Sequence, residues 1–233
     1  MFTVAAAKLM ASAVALATAA MVWTGLARQD QYLLDMPMQR IVLSPERVIE
    51  AGIREVTVSH WTKCVDAGAC EALRRPPATD SSPWPMTGVN RLDVDDYIAW
   101  LNGETGLAYR LPTAEEWQSL AEDLPRPSWT KLFDDPRMAW AADYGRMRPV
   151  PARLRPSGSF GRFSNGLEDL SGNVWEWTST CAARGFDAAS CPAYMVEGAH
   201  RAVLSIFVRD PASGGCSAGV PPANIGFRLV RDL

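Results

Sequence analysis

An uncharged apolar run near the N-terminus most constrains what this chain can form. Residues 9–27 are 19 residues without a charged side chain, between Lys8 and Arg28. As a helix this run is about 28 Å long, close to the ~30 Å hydrocarbon thickness of a bilayer. We therefore predict that residues 1–28 form one N-terminal transmembrane helix, that residues 9–27 contact the lipid bilayer, and that the following domain lies in the periplasm.

A cleaved secretory signal is the alternative interpretation of the same segment. Signal peptides have a shorter apolar region of about 7–15 residues, which favours the anchor, but residues 25–27 offer a small-residue cleavage site. Cleavage would leave a soluble periplasmic protein. Both interpretations place the rest of the chain outside the cytoplasm.

Charge and histidine content exclude two classes of function. Lys and Arg number 23 against 26 Asp and Glu, for a net charge of -3, and no basic run stands out, so we expect no nucleic-acid partner. The two histidines, His60 and His200, lie far apart in the sequence. Neither has the second histidine three to five positions away that helix-borne zinc sites use.

The five cysteines suit an oxidising compartment. Cys64 and Cys70 flank a short turn, and Cys181 and Cys191 bracket a loop rich in Gly, Ala and Ser. We predict that each pair forms a disulfide and that Cys216 is a free thiol. Other pairings, and five reduced thiols, remain open because spacing alone does not fix connectivity.

Helix signals are concentrated between residues 57 and 120. Thr57 is a candidate N-cap for a first helix that ends at Gly68, and a second helix starts at Asn90 or Asp93. Thr113 and Glu116 have the spacing of a capping box, which predicts a third helix.

Short β-type runs occupy the two ends of the remaining sequence. They lie at residues 40–43, 174–178, 202–208 and 227–230, separated by long loops. A few helices followed by short strands indicate an α+β fold. We assign residues 29–45 to a tether and residues 46–233 to the folded domain.

Three sequence blocks in one order carry a family resemblance. They read GLAYRLPTAEEW at residues 106–117, NGLEDLSGNVWEW at 165–177 and NIGFRL at 224–229, with REVTV at 54–58 ahead of them. These blocks resemble the signatures of the formylglycine-generating enzyme family, also called the sulfatase-modifying factor family. The resemblance covers residues 50–231 and implies a loop-rich α+β domain similar to the C-type lectin fold.

The resemblance also locates a difference at the reactive site. Active family members carry two cysteines, five apart, that bind Cu(I), and the matching stretch here runs near His200 to Ser205 without a cysteine. Cys216 supplies one soft ligand where the family uses two. We therefore predict no catalytic residues for this chemistry and no copper cofactor.

A calcium site is implied by the same resemblance. Family members hold this ion with positions that match the side chains of Asp169 and Glu176 and the carbonyls of Gly172 and Val174. Oxygen ligands of this kind suit Ca²⁺. The alternative is a salt bridge from Glu176 to an arginine, with Arg110 and Arg228 as candidates.

Two tryptophans in proline-rich loops, Trp84 and Trp129, are candidates for contact with a partner, although anchoring of their own loops is an equal alternative. The combined hypothesis is a non-catalytic, membrane-tethered periplasmic binding or accessory subunit of a membrane protein complex. The alternative is a periplasmic oxidase or metalloenzyme maturation factor of the same family.

Overall fold

A computed structural model describes residues 36–73, 83–124, 154–183, 185–187, 190–211 and 224–233. These residues belong to one compact unit that begins at Met36. The predicted anchor at residues 9–27 lies outside the described residues, as do Trp129 and Cys216.

Helices form where the local capping signals predict them. They are α1 (Val58–Asp66), α2 (Arg91–Thr105) and α3 (Ala114–Leu120). Thr57, Asn90 and Thr113 are the N-caps, and each accepts a hydrogen bond from the backbone N–H three residues later. These contacts satisfy amides that the first turn of a helix leaves without an intrahelical partner, so the start of each helix is set locally.

One of the two sheets has three antiparallel strands. Its strands are β1 (Met38–Ser44), β2 (Arg47–Gly52) and β7 (Val230–Asp232), in the order β1-β2-β7. The strand predicted at residues 40–43 is therefore part of the domain's sheet, although it falls within the segment assigned to a tether. In this sheet β2 lies between β1 and β7, so the first and last strands of the domain both pair with it.

A second sheet has four strands and carries the tryptophan-rich block. Its strands are β3 (Trp175–Cys181), β4 (Ala193–Glu197), β5 (Ala202–Ser205) and β6 (Ile225–Gly226). They lie in the order β5-β4-β3-β6, and only β3 and β6 run parallel. The register places Glu176 of β3 opposite Glu197 of β4.

Helix α3 packs against both sheets. On α3, Trp117 and Leu120 are buried against Ile41, Ile49 and Leu167, in a cluster that also includes Val230 of β7. The helix also contacts β3 and β4. Its seven residues therefore contribute side chains to both sheets.

Glu116 binds partners from three segments. Its carboxylate accepts a hydrogen bond from the Thr113 backbone N–H (2.7 Å), which completes the capping box of α3. It also accepts from both terminal nitrogens of Arg110 (2.7 and 2.9 Å) and from Arg47 at the start of β2 (2.6 Å). Arg110 in turn donates to Asp232 of β7 (2.6 Å).

The strand predicted at residues 227–230 is wrong in its extent. Of this range only Val230 lies in a strand, β7, and residues 227–229 lie between β6 and β7, which belong to different sheets. The carbonyls of Phe227 and Leu229 accept hydrogen bonds from Val56 and Gly52 (2.9 Å each), outside either strand ladder. The break occurs because this segment passes from one sheet to the other, so its backbone pairs with the connection after β2.

Candidate functional site

The segment that matches the family's cysteine pair, residues 200–205, consists of the end of the turn between β4 and β5 and of β5 itself. Trp175, at the start of β3, packs beside it. The indole N–H of Trp175 donates to the His200 carbonyl (2.9 Å), and the two rings meet edge to face with centroids 5.1 Å apart. A Cβ added at Gly198 would lie 2.8 Å from the indole, so only glycine fits this approach without displacement.

Arg201, the last residue of the same turn, is held by a carboxylate. Its Nε donates to the Glu197 carboxylate (2.5 Å), which also accepts from the side-chain amide of Gln118 on α3 (3.2 Å). The Glu197 side chain is 5% exposed, whereas that of Arg201 is 43% exposed. A buried carboxylate therefore anchors a guanidinium whose outer part faces solvent.

Two buried carboxylates lie side by side in this sheet. Glu176 and Glu197 are direct cross-strand partners. Like charges in this position destabilise a sheet unless each is compensated. Consecutive residues of α3 donate to them, since Trp117 binds Glu176 (2.8 Å) and Gln118 binds Glu197. Each carboxylate also has its own arginine.

The arginine of Glu176 is Arg228, and both side chains are buried. Arg228 donates to Glu176 through Nε and Nη2, with the shortest contact 2.8 Å. Its remaining N–H groups donate to the carbonyls of Gly52, Ile53 and Glu168. The five N–H groups of this guanidinium are thereby used. Of the two arginines that the sequence offered as partners of Glu176, the structure selects Arg228.

Glu55 is a third buried carboxyl next to this ion pair. It has no exposed surface, and neither of its side-chain oxygens has a hydrogen-bond partner among the described residues. Burial raises the pKa of Glu55 well above its ordinary value, the charge of Arg228 lowers it, and Glu176 and Asp169 raise it further. Because Arg228 has no N–H left for it, no hydrogen bond from that guanidinium offsets the burial of Glu55.

Asp169 closes the loop that precedes β3. Its two oxygens accept hydrogen bonds from the backbone N–H groups of Gly158 and Phe160, the latter at 2.8 Å. Burial raises the pKa of Asp169, against the lowering effect of these two amides. The backbone of Asp169 is left-handed (φ 65°), a conformation that Asp adopts more readily than most residues.

These contacts bear on the calcium hypothesis. The carboxylates of Asp169 and Glu176 are occupied by protein donors, and a cation at Glu176 would meet the charge of Arg228. The four predicted ligands, Asp169, Gly172, Val174 and Glu176, do not fit a calcium ion in this arrangement. In the described part of the chain, no group of three His, Cys, Asp or Glu side chains is placed to hold a metal.

Both predicted disulfides are present. Cys64 bonds to Cys70 and Cys181 to Cys191, closing loops with sequence separations of 6 and 10. The second disulfide links the end of β3 to the residues before β4. The first joins Cys64 within α1 to Cys70 after the helix. Close to it, the indole N–H of Trp61 donates to the Glu71 carbonyl (3.2 Å).

The predicted partner-binding tryptophans have different outcomes. Trp84 is half-buried, and its carbonyl accepts from the Val58 N–H (2.9 Å), which fixes its loop to the start of α1. Trp129 lies outside the described residues. Within the described ranges, no helix is both long and apolar enough to cross a bilayer.

Glu55, Gln118, Glu197 and Arg201 are site residues that the sequence reasoning missed. Glu55 lies in the REVTV block, in the connection between β2 and α1, and this position was its signal in the sequence. Glu197 and Arg201 become recognisable only once the β3–β4 register is known, because that register brings Glu197 beside Glu176.

This mixed α+β fold is that of a formylglycine-generating-enzyme-like domain. The sequence model of the sulfatase-modifying factor enzyme 1-like domain matches residues 7–233. This chain belongs to that family.

One curated relative is similar to part of this chain. Hercynine oxygenase of Mycobacterium tuberculosis is 28% identical over 101 residues, which cover 41% of this chain and 22% of that protein. The chain thus matches about a fifth of the length of this relative.

Solved structures of several proteins share the fold. PvdO from Pseudomonas aeruginosa has a TM-score of 0.51 at 20% identity and covers 80% of this chain and 81% of its own. Treponema denticola variable protein 1 has a TM-score of 0.53 at 16% identity, with 84% and 95% covered. CarF has a TM-score of 0.51 at 16% identity, with 86% and 99% covered. At these identities the similarity concerns the fold alone.

Proposed function

We propose that this protein is a non-catalytic, membrane-tethered periplasmic accessory subunit that binds a larger membrane protein complex. The observation that carries the proposal is the chemistry of the turn at residues 198–201 and the strand after it. Cu(I) sites need soft ligands such as thiolates, and residues 200–205 have no cysteine. His200 and Arg201 occupy the start of this segment and contact Trp175 and Glu197 instead.

The membrane attachment is supported by the sequence and by the disulfides. The uncharged run at residues 9–27 has the length of a membrane-spanning helix. Two disulfides suit a domain outside the cytoplasm. A tether raises the effective concentration of the domain next to a membrane partner, so a small contact surface with modest affinity suffices.

Extraction of membranes with a mild detergent tests the proposal. We expect the full chain to remain in the membrane fraction, to keep its original N-terminus and to elute with a complex much larger than its 25.4 kDa mass. Size-exclusion chromatography followed by N-terminal sequencing measures both properties. A soluble monomer that begins near Arg28 would overturn the anchor and the subunit role together.

A second candidate function follows from the similarity to hercynine oxygenase. A soluble periplasmic oxidase or maturation factor of the family would use the same turn for chemistry without the cysteine pair. This candidate predicts turnover by the purified protein without its membrane partner, and that result separates it from an accessory subunit.

A further inference from the structure

We propose that the outward face of the three-stranded sheet β1-β2-β7 docks onto the surface of the membrane that holds the anchor. Its aliphatic side chains enter the lipid headgroup layer, and its arginines bind the lipid phosphates. This inference rests on the proposed function, because it needs the tether at residues 9–27. It gives the domain a lipid-binding surface of its own, separate from the anchor.

An apolar row crosses all three strands of this sheet. Val42 of β1 pairs with Val48 of β2, and the N–H of Leu233, directly after β7, donates to the Val48 carbonyl (3.3 Å). Successive side chains of a strand point to opposite faces. The adjacent pair Ile41 and Ile49 is buried in the core cluster with α3, so the row lies on the outward face. Val42 is 67% exposed and Leu233 is 65% exposed.

A charged row lies beside the apolar one on the same face. The register places Arg40 opposite Glu50 and Glu50 opposite Arg231, so the row carries two positive charges and one negative charge. Glu50 pairs with Arg231, and Arg40 is exposed. Apolar side chains next to a net positive charge suit the headgroup region of an anionic bilayer.

The length of the chain before the sheet limits how far this face can be from the membrane. Residues 28–35 separate the predicted anchor from Met36, and eight residues span at most about 30 Å. Strand β1 begins at Met38, and Val42 follows four residues later, about 13 Å along the strand. Tethering raises the effective concentration of this face at the headgroups, so a small apolar row and one net charge suffice.

Another pair of exposed apolar side chains suits an anionic bilayer less well. Phe207 is 70% exposed and Leu92 of α2 is 44% exposed, and a backbone hydrogen bond joins the residues that precede them (3.1 Å). Leu92 shares its side of the helix with Asp95 and Asp96, three and four residues later, which are both exposed. These carboxylates repel anionic lipid.

Quenchers attached to lipid test the face on the full chain, reconstituted through its anchor into vesicles of phosphatidylcholine and phosphatidylglycerol in equal parts. In a Cys216→Ser background, an environment-sensitive fluorophore is attached to Val42→Cys or, as the matched control, to Phe207→Cys. Both native side chains are exposed, so neither label enters the core. We expect nitroxide-labelled lipid to quench the label at position 42 more strongly than the label at position 207, and aqueous iodide to do the reverse.

The charged row is tested with the same reporter at position 42. Arg40→Gln is expected to lower the ratio of docked to undocked domain about fivefold, the factor that corresponds to the ~1 kcal/mol contributed by one arginine near an anionic surface. Arg162→Gln is the matched control, because Arg162 lies in a loop outside this sheet with its side chain 59% exposed, and it should leave the ratio unchanged. In vesicles of phosphatidylcholine alone, quenching at position 42 is expected to fall.

Equal quenching by lipid at the two positions, or stronger quenching at position 207, would overturn the docking. Protection of the label at position 42 from iodide without quenching by lipid would also overturn it, because another protein chain would then cover the face. Flotation of the vesicles separates this proposal from the proposed function. A chain that does not float with them lacks the tether, which removes both, whereas a chain that floats without lipid quenching at position 42 removes the docking alone.

Discussion

Arg228 donates to both carboxylate oxygens of Glu176 inside the domain, with side-chain exposures of 0% and 1%. Burial lowers the pKa of Arg228, but the charge of Glu176, its hydrogen bonds to this guanidinium and the other acidic neighbours together raise the pKa, so the guanidinium stays charged. Since Arg228 also binds three backbone carbonyls, the pair connects the segment after β2, the loop before β3 and the segment between β6 and β7.

Replacing one member of this pair tests its contribution to stability. Glu176→Gln leaves a buried positive charge with less compensation, a change that costs about 3–5 kcal/mol in other proteins. We expect a loss of about 3 kcal/mol in the free energy of unfolding, at the low end of that range, because ionisation of Glu55 can replace part of the lost charge. Urea unfolding at neutral pH measures it.

The matched control is Glu50→Gln. Glu50 also pairs with an arginine, Arg231, but the two side chains are 22% and 26% exposed. Its replacement is expected to cost less than about 1 kcal/mol. Equal losses in the two variants would show that burial does not increase the contribution of the Glu176–Arg228 pair to the free energy of unfolding.

Removal of divalent cations tests the calcium hypothesis directly. Because protein donors occupy Asp169 and Glu176, we expect a chelator to leave the melting temperature of the native protein unchanged. A ligand that binds only the folded state would raise that temperature, and its removal would lower it. A drop of several degrees in the native protein, with a much smaller drop in Glu176→Gln, would instead establish calcium at this site.

The pH dependence of stability tests the raised pKa of Glu55. Its pKa in the folded protein is raised, so its contribution is fully present below the unfolded value near 4.5 and is lost as pH rises toward the folded value. We expect Glu55→Gln to be more stable than the native protein at pH 8 and to lose this advantage toward pH 4.5. Urea unfolding across that range measures the difference.

Glu46→Gln is the control for that experiment, because Glu46 is an exposed residue in the turn between β1 and β2. It should track the native protein at every pH. The interpretation fails if Glu55→Gln shows the same pH dependence as the native protein. Arg228, Glu176 and Asp169 are the charged groups around Glu55, so they stay unchanged in this comparison.

Peptide mapping without reduction tests the cysteine pairing. We expect linked peptides for Cys64–Cys70 and for Cys181–Cys191, with Cys216 alkylated in the denatured, unreduced protein. The double variant Cys181→Ser/Cys191→Ser should lose about 2–3 kcal/mol of stability, as loop closure of this length implies. A bridge from Cys216 to any other cysteine would contradict the assignment.

Assay of aldehyde formation tests the prediction that this chain does not carry out the family's copper chemistry. The purified, copper-loaded protein is expected to leave a cysteine-containing sulfatase-type peptide unmodified, because one thiol cannot supply a two-thiolate site. Mass spectrometry of the peptide detects the aldehyde. Copper-dependent conversion that disappears in Cys216→Ser would show that this chain uses a different ligand set.

The features that the sequence predicts well are those decided by neighbouring residues. Capping by Thr57, Asn90 and Thr113 depends on groups three positions away, so the three helix starts follow from local chemistry. The two disulfides are similarly local. The three sequence blocks identify the family because their order and spacing are specific.

Features that depend on residues far apart in the sequence could not be predicted from local patterns. The choice of Arg228 for Glu176 joins residues 52 positions apart, and the sequence left Arg110 as an equal alternative. Arg110 instead binds Glu116 and Asp232. The segment at residues 227–229 has the composition of a strand, but its backbone pairs with the connection after β2, a relationship with no local signal.

The shared carboxylate of Glu116 has a consequence for how the domain opens. The first turn of α3, the start of β2 and, through Arg110, the end of β7 all depend on this one side chain. Fraying of any one of the three weakens the hold on the other two, so their amide protons should exchange with solvent as a single cooperative unit. A short helix that would melt alone in water thus acquires the protection of a sheet.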